Sequence, residues 1–397
     1  MSNLQQQIQK YIDEKKELYR ILMKYIEKLD QYEDDFQNLI KILNNYKLAE
    51  NSEEMEKFLQ LITNIADNHH RGVNFILKIK KILLSIQCDI KQTLPNLHIY
   101  EIFQNNKVLL LFLLENNILI LDEIIYNDIS VKVEANNTKY CHFFYPEIKK
   151  FIGDEKTKEI EEELLSIDSN IFNNFDQKRH EGENDSYICY LIRQDMVKDF
   201  IVYVNRGNIS LTNVIEPSIF ETNSFLINNE PTLIEYAAFF GSIQIFQYLC
   251  RNNVHLSPSL WIWAIHGKNA ELIHLLEFYK IEHQEHDYEK FLIESIKCHH
   301  NNFANYILNH FYPFNSNKEF SYNERLFSSV FQYHNYAYLP YRFSNDYEFY
   351  YLCFYKFFTL VDLYMKTKEK DIELQIIIFF VFLSNFILQF NSISNSI

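Results

Sequence analysis

The residues of this 397-residue chain best suited to chemistry are its histidines and cysteines. His283 and His286 form an HxxH, and His299 and His300 directly follow Cys298. Imidazole and thiolate both bind zinc, but a zinc site needs three or four donors converging in fixed geometry. No HExxH, no CxxC and no spaced Cys/His set accompanies these residues. The sequence therefore predicts no metal and no cofactor, with Cys298 and His299 on a polar interhelix turn. His69 and His70 precede Arg71 and Gly72 and read as a helix C-terminus, where imidazole is favourable against the helix dipole. Glu161, Glu162 and Glu163 sit in one acidic helix-forming stretch. They read as a solvated face rather than a general acid/base pair.

Nucleophile and phosphate motifs are missing as well. There is no GxSxG and no GxxxxGK[ST] loop. With 6 glycines in the chain, a cradle of backbone N–H groups for phosphate has little to be built from. The chain reads as non-enzymatic. Its formal net charge of −15 argues against a nucleic-acid partner, which would call for a basic face. The densest basic cluster, Lys78, Lys80 and Lys81, reads as the solvated side of a helix. The 6 cysteines (Cys88, Cys141, Cys189, Cys250, Cys298, Cys353) are dispersed, as in a reduced, cytoplasmic protein. The N-terminal segment has no apolar core of the kind a secretory signal needs.

These residues must be positioned by helices. Only 6 glycines and 7 prolines leave little for a many-turned β fold, and 47% hydrophobic residues supply a core. Residues 1–92 show apolar stripes at helical spacing: Ile8 to Leu29, Phe36 to Leu43, Met55 to Ile65 and Phe75 to Ile86. They predict an N-terminal bundle of amphipathic helices or hairpins. Residues 93–180 read as a buried helical hairpin and linker. The polar run DQKRHEGENDS, residues 176–186, reads as an exposed loop and domain boundary. The apolar tail, residues 367–397, is short and interrupted by polar side chains, which predicts no membrane anchor. A tail-anchored peripheral membrane adaptor is the alternative function it raises.

Residues 187–366 carry an internal repeat. In TLIEYAAFFGSIQIFQYL, Thr232 opens a helix and Ala237 and Ala238 permit close packing. Gly241 permits a turn, and Ile245, Phe246, Tyr248 and Leu249 stripe a second helix. The frame returns with Ala264 and then Ser295 in the position of Ala237, at spacings shorter than the ~33-residue ankyrin period. The pattern predicts an all-α chain whose second half is a degenerate ankyrin-type solenoid with reduced fingers, an unrelated α-hairpin array being the alternative. One such repeat cannot bury its own apolar face, so several must stack.

The stretches ADNHHRGVNFILKIKKIL, GENDSYICYLIRQD, PSIFETNSFLINNEPTLIEYAAFFGSIQIFQYL, PSLWIWAIHGKNAELIHLLE and ESIKCHHNNFANYIL resemble a family of trichomonad ankyrin-repeat proteins with an associated domain of unknown function. The resemblance covers residues 10–366 and implies an interaction protein with no assigned activity. The expected function is a scaffold that binds a protein partner. Tyr236, Phe239, Trp263 and His266 fall on the side of the first helices that can face an open groove, and aromatics there suit a binding hot spot. If the reduced fingers let the helices close inward, the same four residues are core.

Overall fold

The computed structural model describes residues 3–30, 32–46, 48–72, 74–281, 287–311, 324–341, 343 and 346–367. His283, His286 and the apolar tail after residue 367 lie outside the described residues. All regular structure among the described residues is helical, and extended pairing is limited to the isolated bridges Val133–Lys139 and Val214–Thr232. No described helix is long and apolar enough to cross a membrane. The chain divides into two compact units. One takes residues before 48 and after 300, the other Leu48–His300. The N-terminal helices, expected as one group through residue 92, thus divide at residue 48.

In the first unit the Asn3–Glu27 helix buries the stripe from Ile8 to Ile26 against the helices Glu33–Asn45 and Phe358–Thr367. Lys24 and Lys28 hold the buried Asp35 carboxylate at 2.7 and 2.8 Å. Lys15 is buried with its ammonium 5.2, 5.5 and 5.9 Å from the rings of Tyr11, Tyr46 and Tyr336. Ring quadrupoles attract a cation placed this way.

In the second unit two readings change. Lys78, assigned to a solvated face, is 2% exposed. Its position one turn from Phe75 and Ile82 places its stem on the apolar stripe, where a long aliphatic chain packs readily. Residues 176–186 are not an exposed loop. Phe175–Glu181 is a helix, and Arg179 is buried, donating to Glu147 at 2.6 Å, Asp176 at 2.6 Å and the Phe143 carbonyl at 3.2 Å. Polar composition concealed a paired interior arginine. Gly182 ends this helix at φ +66°, and a Cβ there would meet Val108 Cγ2 at 2.3 Å.

From Tyr187 onward the unit is a series of helical hairpins. Their first helices are Tyr187–Arg193, Leu233–Phe240 and Leu260–Gly267, and their second helices Val197–Gly207, Ile243–Arg251 and Ala270–Phe278. The helix Asp287–Lys297 follows. Successive first helices pack on one another, and each packs on its own second helix. Thr232 begins the Leu233–Phe240 helix through a capping box, with the Glu235 carboxylate accepting from the Thr232 N–H at 3.0 Å and its hydroxyl at 2.8 Å. Ala237, Ala238, Ala264 and Ser295 are fully buried. These first helices approach closely at Gly267, where a Cβ would meet the Ala238 carbonyl oxygen at 2.5 Å.

Each first helix ends on a residue in the left-handed conformation: Asp195, Gly241, Lys268 and His299, with φ between 49° and 67°. At three of these turns the next residue donates back to the carbonyl five residues earlier. These bonds are Met196 to Leu191, Ser242 to Ala237 and His300 to Ser295, at 2.9–3.0 Å. This is a Schellman closure, which satisfies carbonyls that the helix end would leave unpaired.

Candidate functional site

The four residues expected to line an open groove are interior. Trp263 is 4% exposed and His266 1%, and Tyr236 and Phe239 are buried with them. The exposed aromatic face is therefore corrected to a packed cluster. Its cover comes from the long connection before Thr232, which folds into the short helix Ser224–Asn229 and presents Phe225. Phe225 meets Trp263 edge-on at 4.6 Å and stacks on Phe239 at 5.9 Å. It also stacks on the His266 ring. No hydrophobic period marks that polar connection, so sequence reading left the cluster uncovered.

Beneath this cover three chemically different donors converge. Glu294 and Cys298 stand one helical turn apart, joined by a backbone bond from the Cys298 N–H to the Glu294 carbonyl at 2.9 Å. His266, from the preceding first helix, reaches both. Its Nε2 is 2.8 Å from Glu294 Oε1 and 3.6 Å from Cys298 Sγ, while Nδ1 is 3.5 Å from the same sulfur. Lys297 donates to the same Glu294 oxygen at 2.9 Å. Burial alone would raise the Glu294 carboxyl. The His266 hydrogen bond and the Lys297 charge outweigh it and hold the group at about 2. Burial lowers the His266 imidazole against the pull of Glu294, and burial pushes the Cys298 thiol well up. A buried, protonated thiol is a poor nucleophile. The arrangement suits ion pairing better than acyl transfer. No local spacing shows these three residues together, because they come from two hairpins.

Two further buried histidines, His300 and His70, serve the backbone. His300 Nδ1 donates to the Ile265 carbonyl at 2.6 Å, and the His70 ring bonds the His266 carbonyl. Both therefore cap the end of the Leu260–Gly267 helix. His70 is not a charged cap of its own helix. Burial, aided by His69 and Lys268, lowers it to about 4, and it is neutral near pH 7.

No protein-family model matches this chain, and neither a curated protein nor a solved structure gives a significant match.

Proposed function

We propose that the hairpins beginning at Tyr187 are a degenerate ankyrin-type stack, and that the chain is a non-enzymatic scaffold binding a protein partner. The observation that carries this reading is the recurring left-handed closure at Asp195, Gly241, Lys268 and His299. The same closure recurs in the other unit at His334 and Lys356, where Asn335 and Phe357 donate to Val330 and Leu352. Repeat stacks are held by interactions between neighbours, and the residue after three of these turns supplies one. Ser242 Oγ donates to the Ile192 carbonyl at 2.5 Å, Asn269 Nδ2 to the Gly241 carbonyl at 3.2 Å, and His300 to the Ile265 carbonyl. The resemblance to the trichomonad ankyrin proteins points the same way.

With the central aromatics interior, exposed aromatics of the stack stand on its first helix, at Tyr187 and Tyr190, and at Phe278 on the helix Ala270–Phe278. Tyr187 and Tyr190 are 51% and 46% exposed and stack on each other at 6.1 Å. Tyrosine offers a large, stiff contact surface of the kind enriched in hot spots. The test is quantitative affinity capture from lysate of the source cells, comparing the full chain with the Tyr187→Asp, Tyr190→Asp double variant. A defined protein retained by the former and lost by an equally stable variant supports the reading. Identical capture by both removes this surface. Absence of any specific protein in either sample sinks the scaffold function.

A further inference from the structure

The helix Glu123–Val131 carries apolar side chains that its packing does not use. Asp122 opens it, accepting from the Ile125 N–H at 3.0 Å. Ile125 and Ile129 are buried and commit one side to the core. The opposite side of such a helix should be polar. It presents Ile124 and Val131 instead, 63% and 77% exposed, and Ile120 just before the helix is 66% exposed. Positions 124 and 131 lie on one face, two turns or about 10 Å apart. β-branched residues are weaker helix formers than Ala or Leu, so neither helix propensity nor solubility explains them. The helix Asn96–Phe103 is tied alongside. Asn96 donates to the Ile120 carbonyl at 2.8 Å and accepts from the Ile120 N–H at 2.9 Å, and the Tyr100 hydroxyl donates to Asp128. Leu97, next to Asn96, is exposed as well.

The exposed ionisable side chains of these two helices are Glu101, Glu123 and Asp128, all acidic. Neither helix contains Lys or Arg, and His98 is paired with Glu56 at 3.3 Å. Lys132, at the end of the second helix, is turned onto the Gln104 carbonyl at 2.8 Å and Asn105 at 3.0 Å. We infer that this face docks an amphipathic helix of a partner protein, with apolar residues two turns apart on the contacting side and lysine or arginine beside them. The charge sorts the occupants. Anionic membranes and nucleic acids are repelled by an acidic face. A second copy would set the same carboxylates against one another, on chains that each carry a net charge of −15. A basic amphipathic helix answers both features. Its apolar side covers Ile120, Ile124 and Val131, and its cations meet Glu101, Glu123 and Asp128. The face precedes the hairpins that begin at Tyr187, so it depends neither on their ankyrin-type reading nor on Tyr187 and Tyr190.

The experiment titrates a fluorescein-labelled peptide of leucine, lysine and alanine with the full chain and reads anisotropy. Its leucines stand at helical spacing on one side with lysines beside them. A second peptide of the same composition has its leucines scattered round the helix. The expected result is one peptide bound per chain, with the scattered peptide at least about 10-fold weaker. Ile124→Ser with Val131→Ser should weaken binding at least about 10-fold, and Glu101→Lys with Glu123→Lys should do the same. Glu271→Lys with Glu277→Lys, exposed on the helix Ala270–Phe278, changes the net charge equally and should leave binding within about 2-fold. All six side chains are exposed, so thermal midpoints should match the parent's. If the serine pair disturbs folding, the charge reversals decide. Absence of binding, equal binding of the two peptides, or equal loss from the two pairs of charge reversals overturns the site. A dimer of the full chain in sedimentation, dispersed by the serine pair, would give the face to a second copy and overturn it too.

Discussion

Phe225 stacks on His266 with ring centroids 3.9 Å apart and planes 24° from parallel. The two residues come from the short helix Ser224–Asn229 and from Leu260–Gly267, three helices later, and their contact closes what an open hairpin stack would leave as a groove. It also fixes one face of the imidazole whose edge meets Glu294 and Cys298.

Burial of Trp263 sets the first expectation. Trp263→Ala should cost about 3–5 kcal/mol, as large-to-small changes do in cores. Phe225→Ala should cost less, because Phe225 is only half-buried. Urea denaturation of both variants checks this. A Trp263→Ala midpoint equal to that of the parent would place the indole outside the core.

Gly267→Ala should destabilise by about 1–3 kcal/mol, the range for overpacking, because its Cβ would meet the Ala238 carbonyl oxygen at 2.5 Å. A backbone atom cannot swing aside as a flexible side chain can. Gly72→Ala, with nothing within 4 Å of the added carbon, is the matched control and should be near neutral. Equal thermal midpoints for the two variants would refute the close approach.

His70 makes stability fall on acidification. Burial, then His69 and Lys268, depress its folded value to about 4 from the ordinary 6.5. Between those values the unfolded chain binds the proton and the folded chain does not, so stability rises with pH across that window. Relative to His70→Gln, the parent should lose about 2 kcal/mol more between pH 6.5 and pH 4.5. Asp67, raised by burial to about 6, acts in the opposite direction but is common to both proteins and cancels in the difference. Parallel stability curves for the two would show that His70 titrates normally.

The helical character of the chain was legible because apolar stripes such as Met55 to Ile65 survive in the sequence as burial does in the structure. The first-helix position of Ala237 and Ala264 was legible because small residues are rare inside aromatic helices. Three things were hidden. Lys78 and Arg179 are charged yet interior, and composition assigns charge to the surface. The cover by Phe225 depends on a long connection with no period. The convergence of His266 with Glu294 and Cys298 depends on two helices meeting, which neither segment encodes alone.

The last expectation concerns why the repeat is faint in sequence. Glycine is the residue best suited to a left-handed helix end, yet among these turns only Gly241 supplies it. Asp195, Lys268, His299, His334 and Lys356 adopt the same conformation with a Cβ. For an ordinary L-residue that conformation costs roughly 1–2 kcal/mol. If the turns are equivalent, substitutions at them should have opposite signs. Gly241→Ala should destabilise by about 1–3 kcal/mol, from the strained φ and from the added carbon meeting Asn269 Cβ at 3.2 Å. Lys356→Gly should stabilise by about 0.5–1 kcal/mol, since relief of strain exceeds the extra chain entropy that glycine brings to the unfolded state. The two positions lie in different compact units. Hydrogen exchange, read separately for residues 233–251 and 346–367, therefore assigns each change to its own turn. Destabilisation by Lys356→Gly would mean that its side chain holds the turn together, and that the shared backbone closure does not make the two turns equivalent.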